Sequence, residues 1–228
     1  MRVRLGKGEY MIQANKRVLV FLAPGFEEIE ALTPVDYLRR ANIETVTTAV
    51  DDGEPNSKSP GGQSSGEKFS GGKIVIGSHN IPVTADFVLS ELAACGELVP
   101  DKWDAVVVPG GPGAVNLAAS NNVSAFIKAM AEAGKWVCAI CAAPAVVLAP
   151  LGLLEGRKFT CYPGYEEKVR GAFWSGDRVV KDTRLGICGG IITSRGAGTA
   201  GEFSAAIIAA LLSEADAEQV SCKVLLRR

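Results

Sequence analysis

A cysteine flanked by small residues at the end of an apolar run is the first place in this chain to look for chemistry. In Ala139-Ile140-Cys141-Ala142-Ala143-Pro144 the run stops at Cys141, and a proline stands where a helix would begin. A sharp strand-to-helix turn admits only small neighbours, and Ala139, Ala142 and Ala143 meet that condition. Proline suits the first turn of a helix, where its missing N–H has no partner to lose. The pattern is that of a nucleophile elbow with sulfur in place of a serine oxygen. A thiol beside a helix N-terminus meets the positive end of the dipole, which lowers its pKa and raises its thiolate fraction. A buried structural cysteine fits the same six residues, so the neighbours must decide.

Two groups of neighbours bear on the choice. Gly110 and Gly111, in Pro109-Gly110-Gly111-Pro112-Gly113, let backbone approach a ligand closely. Their N–H groups, with that of Ala142, could form an oxyanion hole. Glu27, Glu28 and Glu30 follow another apolar run. Acidic residues in a first helical turn complement its dipole, and that accounts for Glu27 and Glu28. Glu30 could do the same, or could hydrogen-bond Cys141 as proton donor and acceptor. In a dry pocket its pKa would then rise.

Other chemistries are excluded by what is missing. His79 is the only histidine and sits in a turn, so no ordinary Cys-His dyad forms unless that loop folds over the site. Cys138 and Cys141 make a Cys-x-x-Cys, but on a strand this spacing sends the side chains to opposite faces. The cysteines lack paired ligand spacing and His79 stands alone, so no metal is expected. Gly111-Pro112-Gly113 begins like a dinucleotide fingerprint, yet Asn116 stands where the third glycine belongs. There is no Gly-Lys-Ser/Thr phosphate loop either, and no cofactor is expected.

The elements that must position these residues alternate between strand-length apolar runs and helical patterns. Strands are predicted at Arg17–Ala23, Ile43–Val50, Ala105–Val108, Trp136–Ile140, Lys158–Cys161, Arg178–Lys181 and Ile191–Ser194. Helices are predicted at Glu27–Ala41, Asp86–Ala94, Val123–Ala133, Pro144–Leu151, Gly201–Leu212 and Ala215–Val220. Lys73–Gly77 and Ile81–Val83 flank Ser78-His79-Asn80 as a small hairpin. Residues 51–72 are rich in Gly, Ser and Pro and read as a long loop. The alternation argues for an α/β fold, a doubly wound and mostly parallel sheet with helices on both faces. Sites in such sheets lie beyond the carboxyl ends of the strands, near the point where strand order reverses. The carboxylates, the glycine pair and Cys141 all follow predicted strand ends.

With 228 residues the chain fits one large domain, over residues 16–228, behind a disordered extension at 1–15. The segment Lys7-Gly8-Glu9-Tyr10-Met11 resembles a translated bacterial ribosome-binding site, which offers Met11 as an alternative start. Lysine plus arginine (24) nearly balances aspartate plus glutamate (25), so there is no electrostatic footprint for nucleic acid or anionic membrane. No apolar run approaches the ~18–20 residues that span a bilayer. The run VLVFLA is too short for a signal-peptide core, and a cytoplasmic location is expected. The six cysteines are read as unpaired.

Several of these segments match one family in register. Val20-Phe21-Leu22-Ala23-Pro24-Gly25-Phe26-Glu27-Glu28-Ile29-Glu30, then Pro34-Val35-Asp36 and Arg39-Arg40, resemble the opening of the ThiJ/PfpI superfamily. Val106-Val107-Val108-Pro109-Gly110-Gly111, the Cys141 elbow and Thr193-Ser194-Arg195-Gly196 continue the likeness, nearest to the DJ-one and YajL branch. The resemblance implies a flavodoxin-like fold and a homodimer. It implies a readily oxidised Cys141, a carboxyl partner at Glu30, and backbone donors at Gly110, Gly111 and Ala142. It also implies that Arg40 lies near the dimer interface and the site, and that Ser194 and Arg195 belong to a loop closing over the cysteine. Two departures stand out. Tyr162 replaces a histidine found in DJ-one, and the 51–72 loop is long. Peptidase members follow their nucleophile with histidine, whereas Ala142 follows here, so proteolysis is not expected. The implied activities are glutathione-independent glyoxalase, converting methylglyoxal to lactate, or deglycase of glycated proteins. The alternative is an oxidative-stress sensor or chaperone in which Cys141 becomes a sulfinate without turnover.

Overall fold

The apolar runs build a sheet whose central strands are buried on both faces. In the computed structural model the described residues are 2–4, 9–11, 16–51, 72–183 and 189–226. Seven strands make the central sheet: β1 (Arg17–Leu22), β2 (Glu44–Ala49), β3 (Phe87–Val88), β4 (Ala105–Val108), β5 (Trp136–Ile140), β6 (Val179–Asp182) and β7 (Gly190–Ser194). The helices are α1 (Glu28–Arg40), α2 (Leu89–Ala94), α3 (Gly113–Ala119), α4 (Asn121–Glu132), α5 (Ala200–Leu211) and α6 (Glu214–Lys223).

The strand order is β6-β7-β5-β4-β1-β2-β3, parallel throughout except for β6, which runs antiparallel to β7 at one edge. Along β1 the side chains alternate between faces, as strand geometry requires. Leu19 and Phe21 join one core with Leu117 of α3 and Val123, Phe126 and Ile127 of α4. Val18, Val20 and Leu22 join the other with Val35 and Leu38 of α1 and Phe203 and Ile207 of α5. The chain leaves β1 for β2 and β3 on one side, then crosses to β4 on the other. The reversal therefore lies between β1 and β4, where such sheets carry their sites.

Several predicted elements differ in the structure. The helix expected at Asp86–Ala94 is the short strand β3 followed by α2, because a two-residue strand is too brief for a period of two to emerge. Helix α3 was not expected, since Gly113 follows proline–glycine punctuation that reads as a loop. Pro144–Leu151 is not an ordinary helix but a five-residue π-helical turn, Pro144–Leu148. Lys158–Phe159 stays outside the main sheet and pairs in parallel with Phe173–Trp174. The expected hairpin is present as Ile74–Ile76 antiparallel to Pro82–Thr84. Most of the 51–72 loop, Cys188 and much of the 1–15 extension lie outside the described residues. Within the extension, Arg2–Arg4 pairs antiparallel with Glu9–Met11. Among the described residues, no helix is long and apolar enough to cross a membrane.

Candidate active site

Cys141 follows β5 in a backbone conformation that L-residues avoid. Its φ is +64°, in the left-handed region, where a side chain costs roughly 1–2 kcal/mol. Two hydrogen bonds hold it there. The Cys141 N–H donates to the Ser194 carbonyl at 2.9 Å, and the Cys141 carbonyl accepts from the Tyr162 N–H at 2.8 Å. The elbow is thus clamped between the end of β7 and the segment after Phe159.

Glu30 reaches the thiol from the first turn of α1. Glu27 caps that helix, its Oε2 accepting from the Glu30 N–H at 2.8 Å. Glu30 is 1% exposed. Its Oε2 accepts from the Gly110 N–H at 3.0 Å. The amide of Ala197 and the Cys141 thiol lie near enough to favour the charged carboxylate as well. Burial pushes the Glu30 carboxyl up to about 7, and the nearby Glu27 charge adds to the rise, against the lowering from its hydrogen bonds.

The glycines are required by close approach. A Cβ on Gly110 would lie 2.6 Å from the Cys141 Cβ and 2.7 Å from Glu30 Oε2. Gly111 combines a φ of +76° with Gly25 O and Glu27 N within 2.8 Å of where its Cβ would be. The two loops are also stitched together, Glu27 N–H to Gly110 O at 3.2 Å and Gly113 N–H to Gly25 O at 2.8 Å. The N–H groups of Gly111 and Ala142 lie near enough to the sulfur to work against the rise of its pKa. Gly110, expected as a third donor there, spends its N–H on Glu30 instead.

One sequence expectation is corrected. The thiol was expected to be acidified by a helix N-terminus, yet burial and the Glu30 charge push Cys141 up to about 12 despite the two amides. The element beyond it is a short π turn rather than a long dipole. Cys138 is completely buried within β5 and its thiol is pushed up by that burial, as expected of a core residue.

The other predicted residues divide. Ser194 is buried beside the elbow, its Oγ donating to Arg178 O at 3.0 Å and lying 2.7 Å from Thr199 Oγ1. Arg195 is half-buried in the adjoining loop, its N–H on Arg178 O. Tyr162 lies against Gly196 beside Glu30. Arg40 is not at the thiol within this chain. It ends α1 ten residues beyond Glu30, ~15 Å along the helix, and its Nε donates to Asp36 at 2.7 Å.

His79 does not stand alone on its turn. Its Nδ1 is 2.8 Å from Glu28 Oε2, and its N–H donates to Glu28 Oε1 at 2.7 Å. Burial works to raise Glu28, but these bonds and one from Ser78 hold it down to about 2. Sequence reasoning missed this contact because 51 residues separate the partners. It missed Ala197 as well, since a backbone amide carries no residue-type signature.

Comparison with known proteins bears on this arrangement. Residues 16–210 match the model of the DJ-1/PfpI family. The chain is 33% identical to the Parkinson disease protein 7 homolog of Danio rerio, over 94% of this chain and 99% of that one. It is 32% identical to Protein DJ-1 homolog B of Arabidopsis thaliana over 95% of its own length, but spans only 43% of that longer protein. A relative from Pyrococcus abyssi named as a deglycase is 27% identical over 73% of this chain and 85% of its own. The solved structure of oxidized Toxoplasma gondii DJ-1 superposes with a TM-score of 0.76 at 31% identity, covering 92% of this chain and 98% of that one.

Proposed function

Because this chain belongs to the DJ-1/PfpI family, we propose that it transforms small reactive carbonyl compounds at Cys141, as a glutathione-independent glyoxalase or a protein deglycase. The observation that carries the reading is the strained Cys141 elbow with the buried Glu30 carboxyl packed beside it over Gly110. The deglycase name of the Pyrococcus relative supports the same class of substrate.

The steps follow from those groups. Ionised Glu30 takes the thiol proton as sulfur attacks the aldehyde carbon of an α-oxoaldehyde, then passes it to the new alkoxide, giving a hemithioacetal and restoring its own carboxylate. The oxygen that gains charge is stabilised by the N–H groups of Gly111 and Ala142. Glu30 then removes the hydrogen from that carbon and returns it to the adjacent one, while the hydroxyl proton on the first carbon moves to the neighbouring oxygen. The product is a thioester of a 2-hydroxy acid. Water cleaves it, releasing the acid and restoring the thiol. For methylglyoxal the net change is addition of one water to give lactate.

The test is methylglyoxal consumption with lactate detection in wild type, Cys141→Ala and Glu30→Gln. Both variants are expected to lose turnover, and full turnover by Cys141→Ala overturns the reading. A second reading, oxidation of Cys141 to a sulfinate without turnover, is supported by the oxidized state named for the Toxoplasma relative. Selective addition of two oxygens at Cys141 under peroxide, read by intact mass, is its signature.

Two further assignments belong to this proposal. Free thiols at Cys95, Cys138, Cys141, Cys161 and Cys222 suit the reducing cytoplasm. A homodimer is supported by exposed apolar side chains on α1 (Ile29, Leu32) and on the adjacent hairpin (Ile76, Ile81). Ser78 N–H to Phe26 O at 2.8 Å ties the two surfaces together.

A further inference from the structure

Tyr162 is tied to the elbow by its backbone and turned outward by its side chain. Its N–H donates to the Cys141 carbonyl at 2.8 Å, so its position follows that of the thiol. The ring Cδ2 lies 3.5 Å and Cε2 4.0 Å from the point where a Cβ on Gly196 would stand, and Glu30 Oε1 lies 3.7 Å from the same point. Ring and carboxylate therefore flank Gly196. Glu30 is 1% exposed and Gly196 is buried, yet Tyr162 keeps 51% of its surface in solvent. An open aromatic surface borders an enclosed site.

The ring is also braced. Tyr165 meets it edge to face, with centroids 6.2 Å apart at 86°, and Lys168 Nζ sits 4.4 Å from the centroid of Tyr165. A side chain held in this way loses little freedom when a second planar group lies against it. The elbow fixes where a reacting carbonyl must sit, and the ring is fixed to the elbow. A substituent on that carbonyl that extends past Gly196 runs along the Tyr162 ring.

We propose that Tyr162 is a specificity-determining wall that selects α-oxoaldehydes bearing planar, aromatic substituents over those bearing a methyl group. The inference rests on the carbonyl chemistry proposed for Cys141, and its test separates the two. The first measurement is kcat/KM for phenylglyoxal and methylglyoxal in wild type, Tyr162→Phe and Tyr162→Ala. Aromatic contacts of this kind predict that Tyr162→Ala lowers the phenyl-to-methyl ratio by roughly three- to tenfold. Tyr162→Phe keeps the ratio. An unchanged ratio in Tyr162→Ala, or an equal loss on both substrates, overturns the wall.

The second measurement needs no turnover. Cys141 is alkylated with phenacyl bromide and with bromoacetone, two α-bromoketones that differ only in the phenyl and methyl groups, and the modification rate is followed by intact mass. The wall requires a phenyl preference that falls in Tyr162→Ala. If wild type consumes neither oxoaldehyde but this preference is present, the carbonyl reading fails and the wall stands. If wild type turns both over and neither ratio depends on Tyr162, the wall fails and the carbonyl reading stands.

Discussion

The carboxyl of Glu30 is held at about 7 by burial, well above the 4.5 of an exposed glutamate. Below 4.5 it is protonated in both the folded and the unfolded chain. Between 4.5 and 7 the unfolded chain gives up the proton while the folded protein keeps it. The stability present at low pH is therefore lost as pH rises through the folded pKa. Glu30→Gln removes this cost while its amide oxygen can still accept from Gly110. It should match wild type near pH 4 and be more stable by about 3 kcal/mol near pH 8, read from denaturation midpoints across pH. The same substitution deletes the proton shuttle, so turnover should fall by roughly 10²–10⁴. Wild-type kcat/KM should rise as Glu30 ionises through about 7, because the ionised form is the base. A flat profile across that range would remove Glu30 from the mechanism. The residue types of this dyad were readable in the sequence, but the state of the thiol was not. That state depends on how deeply the sulfur is buried and on which amides reach it, and neither is written in Ala139-Ile140-Cys141-Ala142.

At the level of elements, the elbow carries its cost in one backbone angle, the φ of +64° at Cys141. Cys141→Gly should therefore be more stable than Cys141→Ala by about 1 kcal/mol, since only glycine occupies that region freely. Equal stabilities, measured by chemical denaturation, would mean that the turn relaxes. The neighbouring segment holds a second reserve. Thr160 donates its N–H to Thr193 Oγ1 at 2.9 Å, but its own hydroxyl is buried without a partner. Thr160→Val keeps the shape and removes the unmet hydroxyl, with an expected gain of about 1 kcal/mol. Strands β1, β4, β5 and β7 were legible because burial on both faces turns them into continuous apolar runs. The two-residue β3 and the π turn after Cys141 were not. Their signals are shorter than the periods that distinguish strand from helix. Pro34 did not obscure α1. The helix predicted over Glu27–Ala41 runs through it, and inside α1 Pro34 withholds the N–H that the Glu30 carbonyl would otherwise accept.

For the whole molecule, the doubly wound architecture was legible from alternation alone, and with it the placing of the candidate residues at strand ends. The pairing of distant loops was not, because Glu28 with His79 and Glu30 with Ala197 depend on the assembled sheet. Assembly between chains is the next level. If α1 and the hairpin form a dimer face, a charge at Leu32 should break it. Leu32→Asp is expected to sediment as a monomer while wild type sediments as a dimer. Identical behaviour of the two proteins would point to another surface. The clamp on Cys141 also has a consequence for biosynthesis. The carbonyl that holds the elbow belongs to Ser194, and an amide that holds Glu30 belongs to Ala197. A growing chain therefore carries the thiol for more than fifty residues of synthesis before its clamp exists. The elbow can be clamped only after all seven strands of the sheet have been made.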